Sequence, residues 1–109
     1  MPMPTSVVKA IPFTMTVASE ERIAPGEEAR VKESLHCLFR IEDYEVREGF
    51  EVSDVLVSTW SKDGPLHRSQ IEKFRNREGF DTAGPGLVEF VVRNTGDEPR
   101  FFMACLRGR

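Results

Sequence analysis

The stretch that decides the fold is residues 29–42, Ala-Arg-Val-Lys-Glu-Ser-Leu-His-Cys-Leu-Phe-Arg-Ile-Glu. Its odd positions are apolar and its even positions are polar or charged, with Glu33 and Leu38 as the two departures. A period of two residues is typical of a β-strand that packs one face on a core and turns the other to water. The stretch therefore predicts one strand over residues 29–41, in a sheet that is solvated on one side.

The same alternation recurs earlier in the chain. Residues 11–17 alternate apolar and polar side chains before the polar stretch 19–22. Because Pro12 cannot donate to a ladder, this strand is expected to begin there or to lie at a sheet edge. Further on, the apolar positions change parity twice, which predicts β-bulges near Asp43 and near Asp54.

The carboxyl end carries the strongest turn signal. Two apolar runs, residues 87–93 and 100–106, flank residues 94–99, where Asn, Gly, Asp and Pro each suit a tight reversal. This pattern predicts a terminal β-hairpin. Residues 61–79, in contrast, show no clear period and little to sustain a helix over residues 69–74, so they are predicted to be an irregular excursion from a rigid scaffold.

Short strands with frequent turn signals indicate an all-β protein. A chain of 109 residues can bury one hydrophobic core but not a second independent one. We therefore expect a single-domain antiparallel β-sandwich over residues 11–109, of jelly-roll or immunoglobulin-like type. Residues 1–10 are expected to form a mobile amino-terminal arm.

Composition and charge exclude several classes of partner. A formal net charge of -3 gives no global field that would recruit nucleic acid or an anionic membrane. No apolar run approaches the roughly 18 residues that span a bilayer, and the amino end lacks the basic and apolar regions of a secretory signal. We expect no membrane or nucleic-acid partner, no export, and Cys37 and Cys105 as reduced, buried thiols.

The residue types that carry metal or covalent chemistry have no recognisable spacing. The candidate soft ligands are His36, Cys37, His67 and Cys105. No two have zinc-type spacing, and neighbouring residues such as His36 and Cys37 point to opposite faces of a strand. Nucleophile pairs such as Cys37 or Ser58 with His67 lack a strained nucleophile turn. The sequence therefore predicts no enzyme, no metal and no cofactor.

Candidate contact residues are concentrated around the predicted excursion. Trp60 lies at the end of the strand that precedes this excursion. A tryptophan beside polar loop residues is typical of contact hot spots and of sugar-stacking platforms, and it is equally common as a cover over a sandwich core. Residues 62–77 are locally basic, which suits an acidic protein partner better than nucleic acid because the patch is short and Glu78 interrupts it. The predicted protein-contact residues are Trp60, Lys62, Arg68, Lys73, Phe74, Arg75 and Arg77.

Five segments, residues 39–42, 50–55, 80–86, 91–96 and 102–108, share a pattern of strands and turns. This pattern resembles that of small all-β proteins that decorate or cement the capsids of phages and virus-like particles. The resemblance spans residues 23–108 and transfers no functional residue, because that class is defined by fold and assembly. It implies a compact sandwich that presents edges and loops to neighbouring subunits, often as a trimer or another symmetric oligomer.

The leading hypothesis is a non-enzymatic structural protein of the virion, a capsid decoration or cement protein assembled in the host cytoplasm. Its partners would be a major-capsid-type lattice or other copies of itself, in a homo-oligomer such as a trimer. The arm of residues 1–10, the segment 62–77 and Trp60 would make the contacts.

Two alternatives belong to other functional classes. In a carbohydrate-binding module, Trp60 would stack on a sugar while polar contacts come from Asp54, Asp63 or Asn76. In a small cupin-type enzyme, His36 and His67 would bind a metal ion.

Overall fold

The computed structural model describes residues 12–35, 40–61, 64–82 and 86–109, with side chains except at positions 13, 59–61 and 64–67. This part of the chain forms eight strands and one short helix. In order they are β1 (Phe13–Ile23), β2 (Glu28–Leu35), β3 (Arg40–Val46), β4 (Phe50–Ser61), β5 (Gly64–Ser69), α1 (Ile71–Arg75), β6 (Phe80–Asp81), β7 (Gly86–Asn94) and β8 (Arg100–Gly108).

The strands form two four-stranded antiparallel sheets. The β8 sheet has the order β1-β8-β3-β6, and the β7 sheet has the order β2-β7-β4-β5. The pairs β4·β5, β3·β6, β2·β7 and β1·β8 are nested inside one another, like a long ribbon folded over. This nesting is the jelly-roll arrangement rather than the immunoglobulin one, so the predicted antiparallel sandwich is confirmed and its type is resolved.

The core lies between the inner faces of the two sheets. Phe90 of β7 and Phe102 of β8 are fully buried, and their ring centroids are 5.6 Å apart across the sandwich. Phe50 packs edge-to-face on Phe102 at 5.3 Å, and Tyr44 does the same on Phe90 at 5.6 Å. Such tilted and edge-to-face pairs add to the apolar burial that holds the layers together.

Three local predictions from the sequence are confirmed: the start of β1 and the two β-bulges. β1 begins at Phe13, directly after Pro12, and lies at the edge of its sheet. The registers of β3 and β4 shift between Ile41 and Asp43 and between Val52 and Asp54. Both predicted bulges are therefore present.

The single strand predicted over residues 29–41 is wrong. β2 ends at Leu35 in the β7 sheet, and β3 begins at Arg40 in the β8 sheet. Leu35 and Ile41 are both buried, because the inner faces of the two sheets share one core. The alternation of apolar residues therefore continues although the chain changes sheet between them.

The prediction of a terminal β-hairpin is also wrong, because β7 and β8 belong to different sheets and do not pair with each other. Residues 95–99 form a corner between the sheets, held by the fully buried Asn94. Its amide nitrogen donates to the carbonyls of Ile23 and Glu98, and its side-chain oxygen accepts from the Gly96 N–H, all at 2.8 Å. Turn residues predict a reversal, but they do not specify whether the flanking strands pair.

Residues 61–79 are more regular than predicted. β5 pairs antiparallel with β4 from Leu56↔Ser69 to Ser61↔Gly64. α1 follows, with Ile71 buried and Phe74 packed against the core at the i, i+3 spacing that one helix face provides. Among the described residues, no helix has the length and apolar character needed to cross a membrane.

Candidate protein-contact surface

The structure describes the predicted contact residues to different extents. Lys62 lies outside the described residues, and the backbone of Trp60 is in β4 opposite Pro65, with no description of its side chain. Arg68 is exposed on the edge strand β5, and Lys73 is exposed on α1. The structure thus places the described members along β5 and α1, at one end of the β7 sheet.

The remaining members lie on or just after α1. Arg75 is exposed and bonds Glu72 through Nη1 at 2.8 Å, while Arg77 is exposed with a φ of 58°. Phe74 is half-buried, with its ring edge-to-face on Tyr44 at 4.7 Å and on Phe80 at 5.2 Å. Its ring is therefore engaged with the protein's own core, whereas the basic residues next to it in the sequence are exposed.

The residues of the two alternative functions are only partly described. His36, Cys37 and Asp63 lie outside the described residues, as does the side chain of His67. Asp54 accepts hydrogen bonds from the Val55 N–H and the Ser69 hydroxyl, and Asn76 is exposed at the end of α1. Within the described ranges, no three His, Cys, Asp or Glu side chains are placed to hold a metal ion.

A different surface, which sequence reasoning missed, lies on the outer face of the β8 sheet. Phe102, Ala104 and Leu106 point inward and are buried, whereas Phe101 and Met103 are 40% and 48% exposed. The two-residue period of β8 places Cys105, half-buried with a free thiol, on the same outer face. Cys105 is expected from the sequence to be a reduced, buried thiol; the thiol is free, but the residue is only half-buried.

Neighbouring strands extend this apolar surface. Ala18 of β1 is in register with Met103, and Thr16 with Cys105. We call Ala18, Phe101, Met103 and Cys105 the β8 strip. On the β3 side the Arg47 N–H donates to the Met103 carbonyl at 2.9 Å, and Glu45 is in register with Cys105. Charged residues thus border the strip.

One end of the strip carries a compact ion-pair network. Arg107 Nε bonds Asp43 Oδ1 at 2.9 Å, and its Nη1 lies 3.6 Å from Glu45 Oε2. The hydrogen bond that Arg107 donates to Asp43, followed by the negative charge of that carboxylate, raises the pKa of the Arg107 guanidinium above its ordinary value. The group is therefore charged at every pH at which the protein would be studied.

The other end carries arginines and an aromatic ring. The Arg22 guanidinium lies 5.4 Å from the centroid of the Phe101 ring, a cation–π geometry. Arg47 donates through Nη1 to the Phe101 carbonyl at 3.4 Å. The strip thus runs from a basic end to an end where Asp43 and Glu45 surround Arg107.

The sequence signal for this surface is ambiguous. Residues 100–106, Arg-Phe-Phe-Met-Ala-Cys-Leu, are apolar at both parities after the arginine. Such a run is typical of a strand buried on both faces. The exposure of Phe101 and Met103 depends on which strands flank β8, and the run itself does not contain that information.

The arrangement is suited to binding. Adjacent exposed Phe and Met side chains provide non-directional contact, and the charges around them provide orientation. No family model, curated protein or solved structure matches the chain. Roles are therefore assigned to the residues on physical grounds.

Proposed function

We propose that this protein is a non-enzymatic assembly protein that binds neighbouring protein subunits, including copies of itself, through the β8 strip. The observation that carries the proposal is the side-by-side exposure of Phe101 and Met103, at 40% and 48%, on an interior strand of a sheet. Phe and Met are enriched at protein interfaces, and contiguous exposed apolar surface marks interaction sites.

The more specific form of the proposal is a capsid decoration or cement protein of a virion, bound to a major-capsid-type lattice. The resemblance of the strand and turn pattern to such proteins supports it, and so does the jelly-roll architecture that viral capsid proteins use. The architecture alone does not decide the matter, because lectins and cupins share it. The described candidate residues of β5 and α1 form a second candidate contact surface, and Trp60 and Lys62 are contact candidates from the sequence alone.

The molar mass in solution tests the proposal and separates the two surfaces. We expect the wild-type chain to form a concentration-dependent oligomer in size-exclusion chromatography with light scattering. The double variant Phe101→Ser, Met103→Ser should be monomeric, because two exposed apolar contacts are replaced by hydroxyls. Glu51→Ser, at an exposed position of β4, is the control for a surface serine and should associate like the wild type.

Two results would contradict this assignment. A wild-type chain that is monomeric at every concentration would exclude self-association. The oligomer could also persist in the Phe101→Ser, Met103→Ser variant and be lost in Trp60→Ala. Self-association would then depend on the β5 and α1 surface and not on the β8 strip. Circular dichroism of each variant confirms that the sandwich is still folded.

A further inference from the structure

Three arginines converge at the basic end of the β8 strip. Arg22 comes from β1, Arg47 follows β3, and Arg100 begins β8. With Glu98, Pro99 and Phe101 they line an open depression of about 630 Å³. We call Arg22, Arg47 and Arg100 the arginine cluster. A depression of this size is within the range that small ligands or a few side chains of a partner occupy.

The arginine cluster differs from most of the protein's other described arginines. Six of those, Arg30, Arg40, Arg75, Arg93, Arg107 and Arg109, form ion pairs with Asp or Glu side chains. Arg22, Arg47 and Arg100 form none with a described acidic residue. Three guanidinium groups that line one depression repel, and Glu98, the one acidic residue that lines it with them, offsets only part of that charge. An additional anion would stabilise this arrangement.

The fold makes room for the half-buried Arg100. A Cβ at Gly49 would lie 2.8 Å from Arg100 Nη1, and a Cβ at Gly96 would lie 3.5 Å from both its Cζ and its Nε. Gly49 has a φ of 93°, which itself favours glycine, but Gly96 does not have a positive φ. A Cβ at Gly96 would be in ordinary contact with the guanidinium and would lie closest to Asn94 Oδ1, at 3.2 Å. The space for Arg100 is therefore provided at Gly49.

The other two arginines are held in different ways. Arg22 lies over the Phe101 ring, and Arg47 is tied to the Phe101 carbonyl. Both contacts leave guanidinium N–H groups available, because a guanidinium has five donors. Two guanidinium forks beside an aromatic ring suit a carboxylate, which each fork can bind through two parallel hydrogen bonds.

We propose that the arginine cluster is an oxyanion-binding site whose ligand is a carboxylate group next to an apolar side chain, on an acidic segment of a partner protein. Phe101 and Pro99 provide the apolar wall, and Glu98 disfavours a dianion such as phosphate relative to a singly charged carboxylate. The identity of the ligand rests on the proposed protein-binding function. The site itself rests on the arginines.

Fluorescence anisotropy with a labelled peptide of alternating Leu and Glu tests the site, with the matched Leu and Gln peptide as the neutral probe. The acidic peptide should bind the full chain, and its affinity should fall with added salt. Arg22→Gln, Arg47→Gln should weaken binding at least about tenfold, since hydrogen bonds to charged groups are lost. The control Arg93→Gln, Arg109→Gln removes the same charge at exposed positions in β7 and directly after β8 and should bind like the wild type.

Equal affinity in the two double variants, or equal binding of the two peptides, would overturn the proposal. Inorganic phosphate that binds more tightly than the peptide, and loses its binding in Arg22→Gln, Arg47→Gln, would overturn the assignment to a carboxylate. The outcome is separable from that of the proposed function. Suppose that the acidic peptide does not bind, but that Phe101→Ser, Met103→Ser still abolishes self-association. The oxyanion-binding site would then be excluded, and the proposed function of the β8 strip would stand.

Discussion

β7 and β8 occupy equivalent positions, each an interior strand of its sheet, yet their outer faces differ. Their inward residues are alike, with Phe90 and Phe102 both fully buried. On the outer face of β7, Glu89 and Val91 are only 3% and 7% exposed. On the outer face of β8, Phe101 and Met103 are 40% and 48% exposed.

The flanking strands explain much of this difference. On β2, Arg30 and Lys32 are in register with Val91 and Glu89, and the Arg30 guanidinium reaches the Glu89 carboxylate at 3.3 Å. Long basic side chains cover the apolar surface beneath them while their charged ends stay in water. On β1, the residues in register with Met103 and Cys105 are the small Ala18 and Thr16. The side chains of the edge strand therefore contribute to whether the outer face of an interior strand is covered.

The largest effect should come from the inner faces, where the two strands are equivalent. Phe90→Ala and Phe102→Ala should each lower the free energy of unfolding by about 3–5 kcal/mol, because each leaves a cavity between the sheets. Phe101→Ala, one position away on the outer face, should change it by less than about 1 kcal/mol. Urea unfolding followed by circular dichroism measures all three.

Phe101→Ala is the control for chain position and residue type. A loss of stability in Phe101→Ala as large as that in Phe102→Ala would mean that the outer face of β8 is covered in the folded monomer. That result would mean that the outer faces of β7 and β8 do not differ in how well they are covered.

A smaller effect should separate the outer faces themselves. Val91→Ser should destabilise the protein by about 2 kcal/mol, because a nearly buried valine loses its apolar contacts and a hydroxyl takes its place. Met103→Ser should change the free energy of unfolding of the monomer by about 0.5 kcal/mol or less. Thermal unfolding at a concentration too low for association compares the two variants.

Equal losses in Val91→Ser and Met103→Ser would show that the β2 side chains do not protect β7. Repeating the measurement at high concentration sharpens the comparison. If the β8 strip associates, Met103→Ser should then lower the apparent stability relative to the wild type, because association stabilises the folded state by mass action.

The local chemistry of the strands could be predicted from the sequence, whereas the partners of each strand could not. Parity changes identify the bulges near Asp43 and Asp54, and Pro12 identifies the start of an edge strand, because both depend on neighbouring residues. The change of sheet between Leu35 and Ile41 leaves no signal, since the inner faces of both sheets are apolar. The same holds for the corner at Asn94, where the turn residues suit a hairpin equally well.

The β8 strip and the arginine cluster could not be predicted for a related reason. Each combines residues from β1, from β3 or just after it, and from β8, which are far apart in sequence and meet only through the order of strands in the sheet. Trp60 and the basic residues 62–77, by contrast, are close together along the chain, which is what makes them recognisable in the sequence. Sequence proximity therefore favoured a local surface over one assembled by the fold.

The smallest effect concerns Tyr44, which lies in β3 between the exposed Asp43 and Glu45 and packs inward against Phe74 and Phe90. Burial raises the pKa of its phenol above the ordinary 10.0, and the positive charge of Arg75 offsets part of that rise. The folded state thus holds this proton more tightly than the unfolded state does. Its contribution to stability is complete below about pH 10 and is lost as the pH rises through the raised pKa.

Tyr44 is the sole tyrosine in the sequence, so the phenolate absorbance reports on it alone. The absorbance should rise at a higher pH in the folded protein than in urea, and Arg75→Gln should move the folded transition higher still because it removes a charge that favours phenolate. Tyr44→Phe should lose less stability than the wild type as the pH increases above 10.0. A folded transition at or below that of the unfolded chain would mean that Tyr44 faces water with Asp43 and Glu45, and that the bulge in β3 does not turn it into the core.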